Sequence, residues 1–112
     1  MKDDRVYLRH IRDAIARIDS YVTRGRDAFL AETIIQDAVI RNLEVIGEAV
    51  KNLSDSLRTQ HPEIPWTRIA GMRDVLIHEY FGVRVETVWA AVENRLPELK
   101  RHVDALLSGD TD

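Results

Sequence analysis

The chain has 112 residues, 45% hydrophobic and 31% charged, with no cysteine and a formal net charge of -3. That size and balance suit one soluble domain with its own core. The missing cysteine removes disulfides, thiolate zinc sites and cysteine nucleophiles, and fits a reducing compartment. The negative balance argues against a nonspecific coat on duplex DNA, but leaves room for an enzyme that holds one or two phosphates.

The charged start, Met1-Lys-Asp-Asp-Arg5, is followed by no apolar run. Neither a signal peptide nor a membrane span is therefore expected, and the cytoplasm is the expected compartment. From Asp3 to Arg24, apolar residues fall at Leu8, Ile11, Ile15, Ile18 and Val22. Their spacing is a helical seam, and Gly25 is a natural C-terminal stop. Asp27 suits the N-cap of a second, longer helix to about Leu53. One stripe on it is Ile35, Val39, Leu43, Ile46, Val50 and Leu53; a second is Leu30, Ile34 and Ala38. Two stripes imply burial on more than one side, against the bundle and against a second copy. The polar positions Asp37, Arg41, Glu44, Glu48 and Lys51 read mainly as a solvated face with helical ion pairs.

Ser54 to Pro65 reads as a connector, because His61-Pro62 and Ile64-Pro65 disfavour helix before each proline. Pro65 suits the first turn of a third helix carrying Trp66, Ile69, Met72 and Leu76 and ending near Gly82. The last segment, Val83 to Leu107, is interrupted at Pro97, which predicts a kink or two helices meeting at Arg95 and Leu96. Ser108-Gly109 ends it, and residues 110–112 should fray. The expected architecture is an all-α antiparallel bundle of four or five helices, one domain over residues 1–112.

The chemistry concentrates in Arg73-Asp-Val-Leu-Ile-His78-Glu79-Tyr80. A cation and an imidazole on a mostly apolar segment need a partner or a task. Arginine holds a phosphate in a planar fork, and histidine moves protons near neutral pH. At about 100° per residue, Arg73 and Tyr80 share a face, Asp74 and His78 are neighbours on an adjacent one, and Arg73 and His78 diverge. The helix must therefore loosen towards Gly82, or two copies must face each other so that one chain's Arg73 meets the other's His78. Asp74 either fixes the tautomer of His78 or forms an ordinary helical pair with it on a solvated surface. Glu48, beside a glycine that lets another helix approach, either contacts Arg73 or the cleft, or is a surface carboxylate.

Arg73, four residues, His78, one residue and Tyr80 resemble the Arg-x-x-x-x-His-x-Tyr motif of HepT-like toxins in the HEPN superfamily of helical RNases. The flanks match as well: Ile46-Gly47-Glu48-Ala49, Pro65-Trp66, Ile69-Ala70-Gly71-Met72, Tyr80-Phe81-Gly82-Val83 and Leu96-Pro97-Glu98-Leu99. The resemblance spans nearly the whole chain. It departs at Asp74, where the family usually carries asparagine. An aspartate turned to the substrate would repel a phosphate; one turned to His78 would orient the base.

The resemblance implies a HEPN-like helical homodimer with both motifs lining one cleft. It implies metal-independent RNA cleavage, with no cofactor and with Arg73 and His78 carrying the chemistry. It also implies a partner, a minimal nucleotidyltransferase antitoxin that transfers AMP from ATP onto Tyr80. The mechanism expected is attack by the ribose 2′-OH, with His78 as general base or acid and Arg73 stabilising charge on the phosphate. The alternative is a non-catalytic helical dimer that serves only as partner and substrate of that nucleotidyltransferase.

Other chemistries fail on spacing. A zinc-protease reading of His78-Glu79 needs a second histidine at position 82, which is Gly82. A di-iron bundle needs Glu-x-x-His pairs, and the sequence contains none. His10, His61 and His102 read as solvated, and Trp66 and Trp89 as core anchors.

Overall fold

A computed structural model describes residues 3–78 and 84–109, with Ile77 and His78 described by their backbone alone. The Asp3 carboxylate accepts the Arg5 N–H at 3.0 Å and starts α1, Asp4–Tyr21. One face of α1 buries Leu8, Ile11, Ala14, Ile15 and Ile18, as the seam predicts. Gly25 then turns the chain with φ +91°, a conformation that L side chains avoid.

Gly25, not Asp27, is the N-cap of the next helix, α2 (Arg26–Ala31), and Asp27 lies in its first turn. The long second helix is interrupted. Glu32 adopts extended backbone and separates α2 from α3, Thr33–Asn52. The Gln36 side chain seals the break by donating to the carbonyls of Phe29 at 3.0 Å and Leu30 at 3.1 Å. Those are carbonyls that the end of a short helix would otherwise leave unpaired. The break turns Phe29 into the core against Trp89, their ring centroids 5.3 Å apart, and leaves Ile34 83% exposed. The stripe Leu30, Ile34 and Ala38 is therefore not a continuous buried face. The other stripe buries Val39, Leu43, Ile46, Val50 and Leu53, with Ile35 half-buried.

The stretch after Leu53 also differs from the expected connector, because it contains the short helix α4, Asp55–Gln60. The Ser54 hydroxyl accepts from the Leu57 N–H at 3.1 Å, a helix N-cap. Asp4 in turn accepts the Ser54 N–H at 2.8 Å and its hydroxyl at 2.6 Å, tying the start of α1 to the start of α4. After His61-Pro62, Ile64 is buried, and Trp66 is buried with its indole N–H donating to the His61 carbonyl at 3.0 Å. Beside them, the Glu63 carboxyl is held below the usual carboxylate range by a backbone N–H and by neighbouring His61. Then come α5 (Trp66–His78), α6 (Val85–Asn94) and α7 (Leu96–Gly109). The last two meet at Arg95, and Pro97 occupies the first turn of α7, where its missing N–H costs nothing.

The described residues thus form an all-α bundle: the longer helices α1, α3, α5, α6 and α7, and the short α2 and α4. Central α3 packs against α1 on one side and α5 on another; α7 closes on α1, and α6 on α7. The core is a continuous, mainly aliphatic cluster, and among the described residues Asn42 is the buried polar one. Its amide accepts from Arg17 Nε at 2.8 Å and donates to the Ala38 carbonyl at 2.9 Å, so its burial is compensated. Among the described residues, no helix is long and apolar enough to cross a membrane.

Candidate active site on the face between α3 and α5

Helices approach each other most closely where one of them lacks a side chain. Gly47 of α3 is buried, and the backbone of Arg73 on α5 lies directly over it. A methyl group added at Gly47 would overlap the Arg73 Cβ and lie 3.3 Å from both its Cα and its N. This contact fixes where Arg73 sits along α3.

The residues flanking Gly47 then meet the guanidinium. Glu48 Oε1 lies 2.9 Å from Arg73 Nε. Asn52, one helical turn further on, donates to the Glu48 carbonyl at 2.9 Å and reaches its Oε2 at 3.4 Å, steadying that carboxylate. Asp74 Oδ1 lies 3.4 Å from Arg73 Nη1 and, much closer, accepts from Lys51 Nζ at 2.8 Å. The result is a line of alternating charge, Glu48, Arg73, Asp74 and Lys51, that sums to zero. The Arg73 side chain is 28% exposed and those of its carboxylate neighbours about half exposed, so the line lies at the surface, within reach of a ligand.

The structure therefore brings together Arg73, Asp74 and Glu48 of the expected site. Helix α5 runs unbroken through Arg73 to His78, while the expected loosening towards Gly82 falls outside the described residues. The side chain of His78 and the whole of Tyr80 lie outside the described residues. Asp74 meets Lys51 across the α3–α5 seam and Arg73 beside it on α5, while its expected pairing with His78 falls outside the described residues. Among the described residues, no three of His, Asp and Glu gather as a metal site would require. An apolar groove of about 670 Å³, lined among others by Leu43, Met72, Val75, Ala91 and Leu99, contains none of the four charged residues.

Comparison with known proteins addresses the same segment. The family model described as Ribonuclease HepT-like matches residues 11–106, a span that includes Glu48, Arg73, His78 and Tyr80. The chain belongs to the ribonuclease HepT-like family. It is 42% identical over 108 residues to "Putative RNase TTE0752" of Caldanaerobacter subterraneus, covering 96% of each protein. It is 45% identical over 101 residues to "Probable ribonuclease HepT" of Thermococcus cleftensis, covering 89% of this chain and 92% of that one. A third relative, "Gamma-glutamylcyclotransferase and putative RNase MJ0434" of Methanocaldococcus jannaschii, is 43% identical over 103 residues. The match takes in 91% of this chain but spans only 46% of that longer protein. No solved structure gives a significant match.

Lys51 is the member of this candidate site that sequence reasoning left on the solvated face. Its signal was the register of α3, since Lys51 lies three and four residues after Glu48 and Gly47 and so shares their face. Nothing in the sequence said that Asp74, 23 residues away, would be its partner.

Proposed function

We propose that this HepT-like ribonuclease is the toxin of a toxin–antitoxin pair and cuts RNA through the ribose 2′-OH, without metal. The observation that carries the reading is the Arg73 guanidinium. It is seated on Gly47, oriented by Glu48 and partly exposed, five residues before a histidine on the same helix. A guanidinium held in that way is prepared for the equatorial oxygens of a phosphate on which charge builds. His78 takes the proton of the 2′-OH or returns one to the leaving 5′ oxygen. The products are a 2′,3′-cyclic phosphate and a 5′-OH, and DNA, lacking the 2′-OH, is not cut. Because α5 stays regular between Arg73 and His78, the reading places the two groups of one site on two chains of a homodimer.

In the same reading Tyr80 is the regulatory position. A cognate minimal nucleotidyltransferase transfers AMP from ATP to its phenol oxygen, which loses its proton as the α–β phosphate bond breaks and pyrophosphate leaves; the adduct adds a negative phosphodiester and a bulky nucleoside two residues after His78. The adduct blocks the cleft and occupies Arg73.

The test is cleavage of several RNA classes in EDTA by dimer whose intact mass is unmodified, beside His78→Ala and Arg73→Ala. Cleavage by wild type alone, leaving cyclic phosphate ends, supports the reading; equal cleavage of DNA sinks the mechanism. General acid–base help is typically worth about 10²–10⁴-fold, so His78→Ala should lose that much without unfolding.

A second reading is a non-catalytic partner and AMP acceptor of the nucleotidyltransferase. It draws on the two carboxylates already beside Arg73, which an incoming phosphate must displace. Growth inhibition by the chain expressed alone, relieved by His78→Ala, separates the two.

A further inference from the structure

The charge line has an end that the proposed chemistry does not use. Lys51 touches neither Arg73 nor Glu48 among the contacts of the site; it meets Asp74 Oδ1 at 2.8 Å from the neighbouring helix. That same oxygen lies 3.4 Å from Arg73 Nη1. The two cations thus share one carboxylate oxygen, and Lys51 holds the shorter contact. The Lys51 and Asp74 side chains are 39% and 48% exposed, and a pair so exposed contributes little to stability. What it does control is local charge. Without Lys51, Glu48 and Asp74 would outnumber Arg73, leaving a net negative site that a phosphate must enter. Of the two cations that share Asp74 Oδ1, Arg73 alone would then remain to draw it, and the carboxylate would compete with a phosphate for the fork.

We propose that Lys51 is a positioning residue for RNA binding: it neutralises Asp74 and draws it aside, so that Arg73 remains available to a phosphate. Lys51 acts through Asp74 and not by touching the RNA. The proposal rests on the ribonuclease reading for its ligand, but its test stands apart from catalysis.

The experiment is a double-mutant cycle with Lys51→Met, Asp74→Asn and the combination, on unmodified protein. One readout is affinity for a mixed-sequence 2′-O-methyl RNA oligonucleotide by fluorescence anisotropy at low and high salt. The other is KM against kcat for RNA cleavage. Lys51→Met should weaken oligonucleotide binding by roughly three- to tenfold at low salt, the size of one screened unit charge, and by less at high salt. KM should rise while kcat changes little. In the Asp74→Asn background the same lysine change should cost measurably less, because the Asp74 carboxylate that competes for Arg73 is gone. Lys51→Arg should retain wild-type affinity.

Equal losses in both backgrounds would overturn the proposal, assigning Lys51 a direct contact with RNA. Equal affinity of wild type and Lys51→Met, or no binding by any of the variants, would also overturn it. A wild type that binds the oligonucleotide but cuts no RNA would sink the ribonuclease reading alone, and the affinity cycle would still decide the role of Lys51.

Discussion

Gly47 and Arg73 form a tight contact between α3 and α5, and each constrains the other. A Cβ at Gly47 meets both backbone and side-chain atoms of Arg73, so relief requires moving α5. Gly47→Ala should cost about 1–3 kcal/mol, the usual penalty for overpacking a fitted contact, and urea denaturation would measure it. It should also depress cleavage more than a remote variant of equal stability cost. Glu48 behaves differently, because its carboxylate is half exposed. Glu48→Ala should cost at most about 1 kcal/mol of stability. If Arg73 acts as proposed, the effect should fall on rate, by roughly tenfold or more, since misplacing a catalytic group by about 1 Å can cost about 10²-fold. Matched kinetics and melts on the same preparations would check that separation.

At the scale of elements, local pattern and local chemistry competed. The apolar spacing after Asp27 is compatible with one long helix. Phe29, however, buries completely only if the chain breaks at Glu32 and α2 swings towards α6. Phe29→Ala should therefore cost about 3–5 kcal/mol, seen as a lower urea midpoint. In the stretch after Leu53 the two prolines hid a helix that starts well before them. Ser54 caps α4, while Asp4 of α1 holds Ser54. Ser54→Ala removes a cap and one of the bonds to Asp4, and should cost about 1–2 kcal/mol. A lower thermal midpoint with unchanged kcat would place that effect in the scaffold. The junction at Arg95 was legible because proline acts on the adjacent turn, whatever the rest of the fold does.

For the whole molecule, the decisive question is whether a site draws on one chain or two. In the proposed reading, with α5 regular from Trp66 to His78, the Arg73 and His78 of one site belong to two chains related by a two-fold axis. Mixing Arg73→Ala and His78→Ala chains after unfolding and refolding together should then restore activity. Half the dimers would be mixed and each would hold one intact site, giving about a quarter of the wild-type sites. Sites contained within one chain predict no recovery at all. Sedimentation of the same mixtures would report the dimer directly.

The sequence by itself determined the helical class, the seam of α1, the stripe of α3, the break at Arg95 and the segment that carries Arg73, His78 and Tyr80. These follow from neighbours three and four residues apart and from the backbone limits of proline, information that is local in the chain. The resemblance to HepT-like proteins was legible for the same reason, since its motif lies within eight consecutive residues. Only the tertiary structure decided that Glu48 reaches Arg73, that Asp74 turns to Lys51, and that Gly47 seats the pair. Those contacts join residues about two dozen positions apart, and they depend on how closely and in what register α5 lies along α3. Helical periodicity gives each helix its faces, but which face meets which is set by packing the whole core at once.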